Sequence, residues 1–314
     1  MDRISSVTMI GLGAVGSFLA PRLQEAAGES GFQIIAQGER RERLLRRGTT
    51  INGRTYYFPV VAPQEKSQPS DLVIIAVKAT ALEEALEQIA GQVGPDTIIM
   101  SILNGVDSEE AAAQRYGIEH VLYSFMRVSV VMKDGCCNYD PQKGKIFFGE
   151  RNNASYSSRV LLVKDLMDRA GIPYQIPEDM IHAIWHKFMS NIGENMTCAL
   201  LGIPFGAFTS SHDADAIRLA AMEEVIAIAA KKGIHLGEEE LAVQEKTIRA
   251  IPYQNKPSTL QDLEAGRKTE IELFSGQVIR MGRALGIPTP VNKLLYHGIK
   301  VLEQKNDGQF DVDQ

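Results

Sequence analysis

Residues 7–16 decide the fold, and they read Val7-Thr8-Met9-Ile10-Gly11-Leu12-Gly13-Ala14-Val15-Gly16. A short strand is predicted over residues 6–10 and a helix over residues 14–27, with the glycine loop between them. In such loops the first glycine permits the turn, the second admits a pyrophosphate and the third lets helix and strand pack closely. Free N–H groups at the helix N-terminus attract phosphate. We therefore predict a dinucleotide site, against the alternative of a purely structural turn, at Gly11, Leu12, Gly13, Ala14, Val15 and Gly16.

The first half of the chain continues the alternation of strands and helices. The apolar run at residues 71–77 is typical of a parallel strand buried on both faces. Asn52-Gly53, Asp134-Gly135 and Lys143-Gly144 indicate turns. Further strands are predicted at residues 32–36 and 97–103, further helices at 40–47, 80–90 and 156–170, and a strand-rich stretch at 121–149. This rhythm predicts an α/β fold with a doubly wound parallel sheet.

The second half is predicted to be all helical. Its candidate helices cover residues 179–201, 213–232, 238–250, 266–285 and 290–303. We place the boundary in the proline-flanked stretch 171–177, which gives domains 1–175 and 176–314. Gly276 and Gly282 indicate close helix packing, either within one chain or between the two chains of a homodimer.

Composition excludes several classes of protein. The chain has 314 residues, 44% of them hydrophobic and 23% charged, which is typical of a folded two-domain protein. A net charge of -6 argues against a nucleic-acid or anionic membrane partner, and no apolar run approaches the roughly 20 residues of a membrane span. The three cysteines lack metal-ligand spacing, so we expect no metal and a reducing, cytoplasmic location.

The end of the second predicted strand bears on the choice of cofactor. An acid there usually binds the ribose 2′-hydroxyl of NAD, whereas this segment reads Ala36-Gln37-Gly38-Glu39-Arg40-Arg41. The two arginines can pair with a 2′-phosphate, which favours NADP(H). Glu39 is the reservation, because a small shift of the backbone would bring it to the ribose. A solvated helix start is the alternative explanation of the arginines.

A polar stripe runs along the predicted helix 179–201. Lys187, Asn191 and Asn195 are four residues apart, so they drift slowly around the helix, and Glu194 is expected on the same face. Asparagine is a mediocre helix former, so two in line with a lysine need a reason. The stripe is either a solvated surface or a substrate wall with one proton donor and two amides.

Two further polar residues follow. Ser258 with Gln261 matches a capping box, which is the structural alternative to a functional role, and Glu270 lies beside the apolar stripe of the predicted helix 266–285. A carboxylate in such a place is often only a rim charge.

Taken in order, these motifs resemble the ketopantoate reductases. The shared pattern comprises the glycine loop, Lys78 after a buried strand, Asn104-Gly105 after the next strand, Lys187 with Asn191 and Asn195, and Ser258-x3-Asp262-x7-Glu270. The resemblance covers nearly the whole chain. It implies an N-terminal Rossmann domain, a helical C-terminal domain with the active site between them, and NADPH-dependent reduction of 2-dehydropantoate to (R)-pantoate, a step towards coenzyme A.

The resemblance also implies residue roles. Lys187 would be the general acid, and Glu270 would bind the substrate or orient the lysine and also belong to the cofactor site. The substrate would be held by Asn191, Asn195 and Ser258. Asn104 would lie near both nicotinamide and substrate, and Lys78 near the cofactor.

Three positions depart from the family pattern. Gln37 stands where many relatives have arginine, which moves the expected 2′-phosphate contact to Arg40. Phe205 replaces a substrate-side asparagine of some relatives, and Glu194 adds a charge where some are apolar. The substrate is therefore either ketopantoate or another branched or hydroxylated 2-oxo acid.

The proposed chemistry is coherent on its own terms. Hydride addition to a ketone leaves negative charge on oxygen, and a lysine ammonium within hydrogen-bond reach stabilises that charge and supplies the proton. Two other functions remain open: an opine or 3-hydroxyacid dehydrogenase, and a non-catalytic NADP(H) sensor. The lysine and glutamate pair argues against the sensor, which has no need of it.

Overall fold

In the computed structural model the chain forms two compact units, Met1–Met180 and Ile181–Gln314. The structure describes residues 2–28, 30–65, 68–133 and 136–311. The predicted turn at Asp134-Gly135 lies outside these residues. Within them, no helix is long and apolar enough to cross a membrane.

The first unit is built on a mixed β-sheet. Its strands in the described residues are β1 Val7–Ile10, β2 Phe32–Ile35, β3 Thr49–Ile51, β4 Arg54–Tyr56, β5 Val60–Val61, β6 Leu72–Ile75, β7 Ile98–Ser101, β8 Val121–Lys133, β9 Cys136–Gly149 and β10 Tyr174–Gln175. Their order is β4-β3-β9-β8-β7-β6-β1-β2-β5, and β10 pairs with β9. All pairs from β5 to β8 are parallel, which confirms the doubly wound sheet.

Helices connect the parallel strands of this sheet. They are α1 Ala14–Ala27, α2 Gly38–Arg47, α3 Leu82–Gln88, α4 Ser108–Tyr116 and α5 Ser158–Arg169. Strands β1, β6 and β7 are buried along their whole length, as the apolar runs predict. The Asn52-Gly53 turn is confirmed: both residues have positive φ, 48° and 77°, and they join the antiparallel strands β3 and β4.

The predicted turn at Lys143-Gly144 is wrong. Both residues lie inside β9, where Gly144 pairs with Val128 of β8. A Cβ at position 144 would lie 2.5 Å from the ring of Phe18 in α1. The glycine therefore makes room for an aromatic ring rather than for a change of chain direction.

The second unit is helical, as predicted. Its helices in the described residues are α6 Met180–Ser190, α7 Met196–Leu201, α8 Ala207–Ser210, α9 His212–Lys231, α10 Glu238–Ala250, α11 Ser258–Glu264, α12 Ser275–Leu285 and α13 Pro290–Asn306. Between α6 and α7 the chain forms a π-helical turn, Asn191–Asn195. The predicted continuous helix over 179–201 is therefore interrupted at the residues of the polar stripe.

The predicted helix 266–285 begins nine residues later, at Ser275. Gly266 adopts a left-handed φ of 65° after α11. The backbone N–H and hydroxyl of Thr269 both donate to the buried Glu303 of α13, at 2.7 Å each. These hydrogen bonds tie the connecting segment to α13, and Glu270 follows directly, at the start of the turn into α12.

The capping box predicted from Ser258 and Gln261 is also wrong. The N-cap of α11 is Pro257, and no side chain caps it. Gln261 donates instead to the carbonyl oxygen of Lys256, at 2.8 Å. The hydroxyl of the exposed Ser258 is therefore not used as a helix cap.

A buried carboxyl group lies at the start of α4, directly after the loop that carries Asn104. Glu109, in the first turn of α4, is only 3% exposed. One of its oxygens accepts from the backbone N–H of Ser124 at 3.3 Å, and the other from the hydroxyl of Ser108 at 3.0 Å. Burial raises the pKa of Glu109 to about 7, although these hydrogen bonds lower it in part.

This pKa predicts a pH-dependent stability that Glu109→Gln removes. The folded state holds the proton more tightly than the unfolded state, whose carboxyl pKa is near 4.5. The stabilisation is thus complete at low pH and is lost as pH rises from about 4.5 to about 7, a change of about 3 kcal/mol. Denaturant unfolding at pH 4 and pH 8 measures it. We expect the wild type to lose about 3 kcal/mol more than Glu109→Gln. Equal losses in the two proteins would contradict the assignment, and Glu83→Gln, at an exposed residue in the first turn of α3, serves as control.

Candidate functional site

The glycine loop joins β1 to α1 in a conformation that needs two of its three glycines. Gly11 has a φ of 97°, and a Cβ there would lie 2.5 Å from the carbonyl of Ala76 at the end of β6. A Cβ on Gly16 would lie 2.2 Å from the carbonyl oxygen of Gly11. Around Gly13, by contrast, a Cβ would meet nothing within 4 Å. The loop is tightly packed on its protein side and open at its middle glycine.

The N-terminus of α1 is suited to an anion. Its N-cap is Gly13, no side chain caps it, and the first turn contains no acidic residue. The first N–H groups of a helix lack partners within the helix, and the helix dipole adds partial positive charge. These groups and the open space beside Gly13 fit the pyrophosphate of a dinucleotide.

Other predicted cofactor residues lie at the same edge of the sheet. Parallel strands end at a common edge, and β1, β2, β6 and β7 are adjacent and parallel. The carboxyl ends of these strands are followed by the glycine loop, Gln37, Lys78 and Asn104, respectively. The strand order reverses between β1 and β6, and ligands of open α/β sheets bind at that point.

The two arginines that follow β2, Arg40 and Arg41, differ in their contacts. Arg41 is engaged in an ion pair with Glu65, Nη2 to Oε1 2.8 Å. Arg40 is exposed, and within the described part of the chain its guanidinium makes no ion pair or hydrogen bond. Gln37 donates to Glu84 of α3 at 3.0 Å. Of the groups predicted for a 2′-phosphate, Arg40 is thus the available cation, while Glu39 is also exposed.

In the second unit the π turn changes the alignment of the polar stripe. In an α-helix with 3.6 residues per turn, residues four apart drift by about 40°, so Asn195 would lie about 80° from Lys187. A π turn has about 4.4 residues per turn, which keeps all three residues within roughly 30° of one another. With the same number of residues per turn, Glu194 lies roughly 90° away from Lys187 around the helix axis. From this geometry we expect the lysine and both amides on one line and the glutamate away from it.

The two amides are hydrogen-bonded to each other. Asn195 donates through Nδ2 to Oδ1 of Asn191, at 3.2 Å. This arrangement leaves the N–H groups of Asn191 as donors and Oδ1 of Asn195 as an acceptor. Such a pair complements a ligand that has both a carboxylate or carbonyl oxygen and a hydroxyl group.

The other predicted site residues of the second unit lie at the ends of helices or just before one. Lys187 is in the last turn of α6 and is only 8% exposed. Helix α11, which starts at Ser258, packs against the π turn and α7. Glu270 is partly buried and precedes the turn into α12, where its carbonyl accepts from Leu273 at 3.0 Å.

Sequence reasoning missed two features of these regions. One is the π turn, for which the only signal was Gly193 in the middle of a predicted helix. The other is the buried group of Ser101, Ser108 and Glu109, in which Ser101 donates to Ser108 at 2.7 Å. The acidic start of α4 was visible, but charged residues at helix starts are usually solvated.

Two family profiles match the chain. The one described as ketopantoate reductase PanE/ApbA matches residues 7–153, and the one described as its C-terminal part matches residues 179–303. A 2-dehydropantoate 2-reductase of Mesorhizobium japonicum is 29% identical in an alignment of 310 positions that covers 90% of this chain and 93% of that protein. One from Archaeoglobus fulgidus is 25% identical, covering 96% of this chain and 99% of that protein.

Solved structures share the fold. A PanE/ApbA family ketopantoate reductase from Ralstonia eutropha superimposes with a TM-score of 0.81 at 24% identity, covering 96% of this chain and 99% of that one. D-mandelate dehydrogenase in complex with NADH and anilino(oxo)acetate gives a TM-score of 0.85 at 21% identity and the same coverage. A ketopantoate reductase from Staphylococcus aureus, described as dimeric, gives 0.78 at 19% identity, again with 96% and 99% coverage.

The packing of the loop predicts different tolerance to alanine at two of its glycines. Gly16→Ala places a methyl group against the carbonyl of Gly11, and overpacking of this kind costs about 1–3 kcal/mol. Gly13→Ala meets no atom and has an accessible φ of -94°, so we expect its free energy of unfolding to stay near that of the wild type. Denaturant unfolding of both variants measures the difference. Equal destabilisation of both would show that the packing of the loop is not as described.

Proposed function

Because the chain belongs to the ketopantoate reductase family, we propose that it reduces 2-dehydropantoate to (R)-pantoate with NADPH, in pantothenate and coenzyme A biosynthesis. The family consists of NAD(P)-dependent reductases, and the chain is an oxidoreductase that acts on a CH–OH group. The observation that carries the proposal is the burial of Lys187 directly before a π turn whose Asn191 and Asn195 are hydrogen-bonded to each other. The alternative substrate is another branched or hydroxylated 2-oxo acid.

We assign cofactor binding to residues 1–175 and substrate binding to residues 176–314. The free N–H groups of α1 hold the pyrophosphate, with Lys78 and Asn104 at the same edge of the sheet. When bound, the reduced nicotinamide supplies the hydride to the ketone carbon. The donors of Asn191 bind the carboxylate or carbonyl of the substrate, and Oδ1 of Asn195 accepts from its hydroxyl. Ser258, whose hydroxyl is not used as a cap, is a further substrate contact.

Lys187 completes the reduction as general acid. Its ammonium stabilises the negative charge that develops on the ketone oxygen, and it then transfers a proton from Nζ to that oxygen. Burial of the lysine strengthens this interaction, because fewer water molecules compete for the charge. Glu270 orients the ammonium or binds the substrate, and the hydrogen bonds of the preceding Thr269 to Glu303 fix its backbone.

Two further parts of the proposal concern the cell and the assembly. The three cysteines are free thiols, as a reducing cytoplasm maintains them. The dimeric description of the Staphylococcus aureus protein supports a homodimer. Gly282 does not add to that support, because a Cβ there would lie 2.6 Å from Thr289 of the same chain.

Replacement of Lys187 by methionine tests the catalytic role. We expect kcat to fall at least 100-fold, since general acid catalysis typically contributes a factor of 10²–10⁴. The affinity for NADPH should stay unchanged. The measurement is NADPH oxidation with a panel of 2-oxo acids that includes ketopantoate, and the control is Lys231→Met, at an exposed lysine of α9.

The outcomes separate the competing functions. Ketopantoate turnover by the wild type that survives Lys187→Met contradicts the general-acid role. Turnover that requires an added amine favours an opine dehydrogenase. Tight NADPH binding without turnover of any acid favours the sensor.

Replacement of Arg40 by alanine tests the choice of cofactor. A charged hydrogen bond is worth about 1.5–3 kcal/mol, so we expect the KM for NADPH to rise about tenfold or more while the KM for NADH stays constant. Arg46→Ala removes the same charge from the last turn of α2 and serves as control. Equal kcat/KM of the wild type for NADH and NADPH would contradict the NADP preference and point to Glu39.

A further inference from the structure

Glu194 lies in the π turn but is bound to two other helices. Its side chain is buried, and its Oε1 accepts from Nε2 of Gln244 in α10 at 2.7 Å. The same oxygen lies 3.8 Å from Nη1 of Arg218 in α9. The carboxylate thus links the π turn to α9 and α10.

The charges around Glu194 make its burial tolerable. Arg218 is 1% exposed, and its other nitrogens bind Asp215 at 2.6 Å and Glu245 at 2.8 Å. Asp215 and Glu245 remain about one third exposed, at 27% and 33%, so water solvates part of their charge. The positive charge of the guanidinium therefore offsets the negative charge of the deeply buried Glu194 carboxylate.

The backbone of the π turn also approaches α9 closely. A Cβ on Gly193 would lie 2.5 Å from the side chain of Met222 and 2.8 Å from the carbonyl oxygen of Arg218. Gly193 lets the turn lie on the surface of α9, and Glu194 follows directly with its polar contacts. Packing therefore fixes Gly193, and hydrogen bonding fixes Glu194, the next residue of the turn.

We propose that Glu194 is a positioning residue that holds the π turn against α9 and α10 and thereby keeps Asn191 and Asn195 in line with Lys187. The inference rests on the proposed function, since it concerns the residues assigned to substrate binding there. It also assigns Glu194 a structural role in place of an effect on the choice of substrate. Glu194 is turned roughly a quarter turn from Lys187 and is engaged by Gln244, so it acts through the backbone rather than by contact with the substrate.

Three variants separate positioning from simple stabilisation. Glu194→Gln keeps a carbonyl oxygen to accept from Gln244, whereas Glu194→Leu removes the acceptor with little change in volume. Glu245→Gln is the matched control, because it weakens another ion pair of Arg218 without touching the turn. For each variant we would measure kcat and KM for ketopantoate, the Kd for NADPH, and the melting temperature.

We expect Glu194→Leu to lower kcat/KM for ketopantoate roughly tenfold, since small displacements of substrate-binding groups have effects of this size or larger. Glu194→Gln should recover most of that loss, and Glu245→Gln should leave kcat/KM unchanged even if it lowers the melting temperature as much. The Kd for NADPH should not change. A loss of kcat/KM that merely follows melting temperature across the three variants overturns the proposal, as does unchanged kcat/KM in Glu194→Leu.

Hydrogen exchange tests the same idea without activity. Amides of residues 190–197 should exchange faster in Glu194→Leu than in the wild type or Glu245→Gln, and equal exchange overturns the proposal. Because this readout needs no substrate, failure of the wild type to reduce any 2-oxo acid refutes the proposed function separately. If Glu194→Leu does not fold, Gln244→Ala removes the same hydrogen bond from the other side.

Discussion

The contact of Gly11 with the backbone of Ala76 is the constraint on which the first unit depends. In this sheet β1 and β6 are parallel neighbours, and the loop after β1 passes directly over the end of β6. Only a residue without a side chain fits there at a φ of 97°. The same passage directs the start of α1, and with it the free N–H groups, to the edge where Lys78 and Asn104 also lie. The anion site is thus a consequence of how two strands pair.

Sequence patterns predicted the sheet well because its central strands are buried on both faces. Such strands consist almost wholly of apolar residues. The glycines between β1 and α1 are required sterically, and their spacing is recognisable in the sequence. Prediction failed where a contact distant in sequence decides the conformation. Gly144 resembles a turn residue, but it accommodates Phe18. The predicted start of the helix 266–285 is not helical at Thr269, where Glu303, 34 residues away, binds the backbone and the side chain.

In the candidate site, too, the local sequence predicted some features, while contacts distant in sequence decide others. Its residues were identified by type and spacing, and the local sequence was enough for the glycine loop. The relation of Lys187, Asn191 and Asn195 was predicted on a regular helix, and there Glu194 would share their face. The π turn moves that glutamate roughly a quarter turn away, and the residues that contact the turn, Gln244, Arg218 and Met222, lie on other helices. No periodicity within the segment itself contains this information.

The π turn also limits how this part of the chain can vary in length. Loss of one residue between Asn191 and Asn195 would convert the turn to regular α-helix and rotate α7 by about 100° about its axis. Met196, Cys198 and Ala199, now in the core, would be carried toward a different neighbour. Substitutions in this segment alter single contacts, but a deletion would exchange one whole helix face for another. The number of residues here is therefore as strongly constrained as their identity.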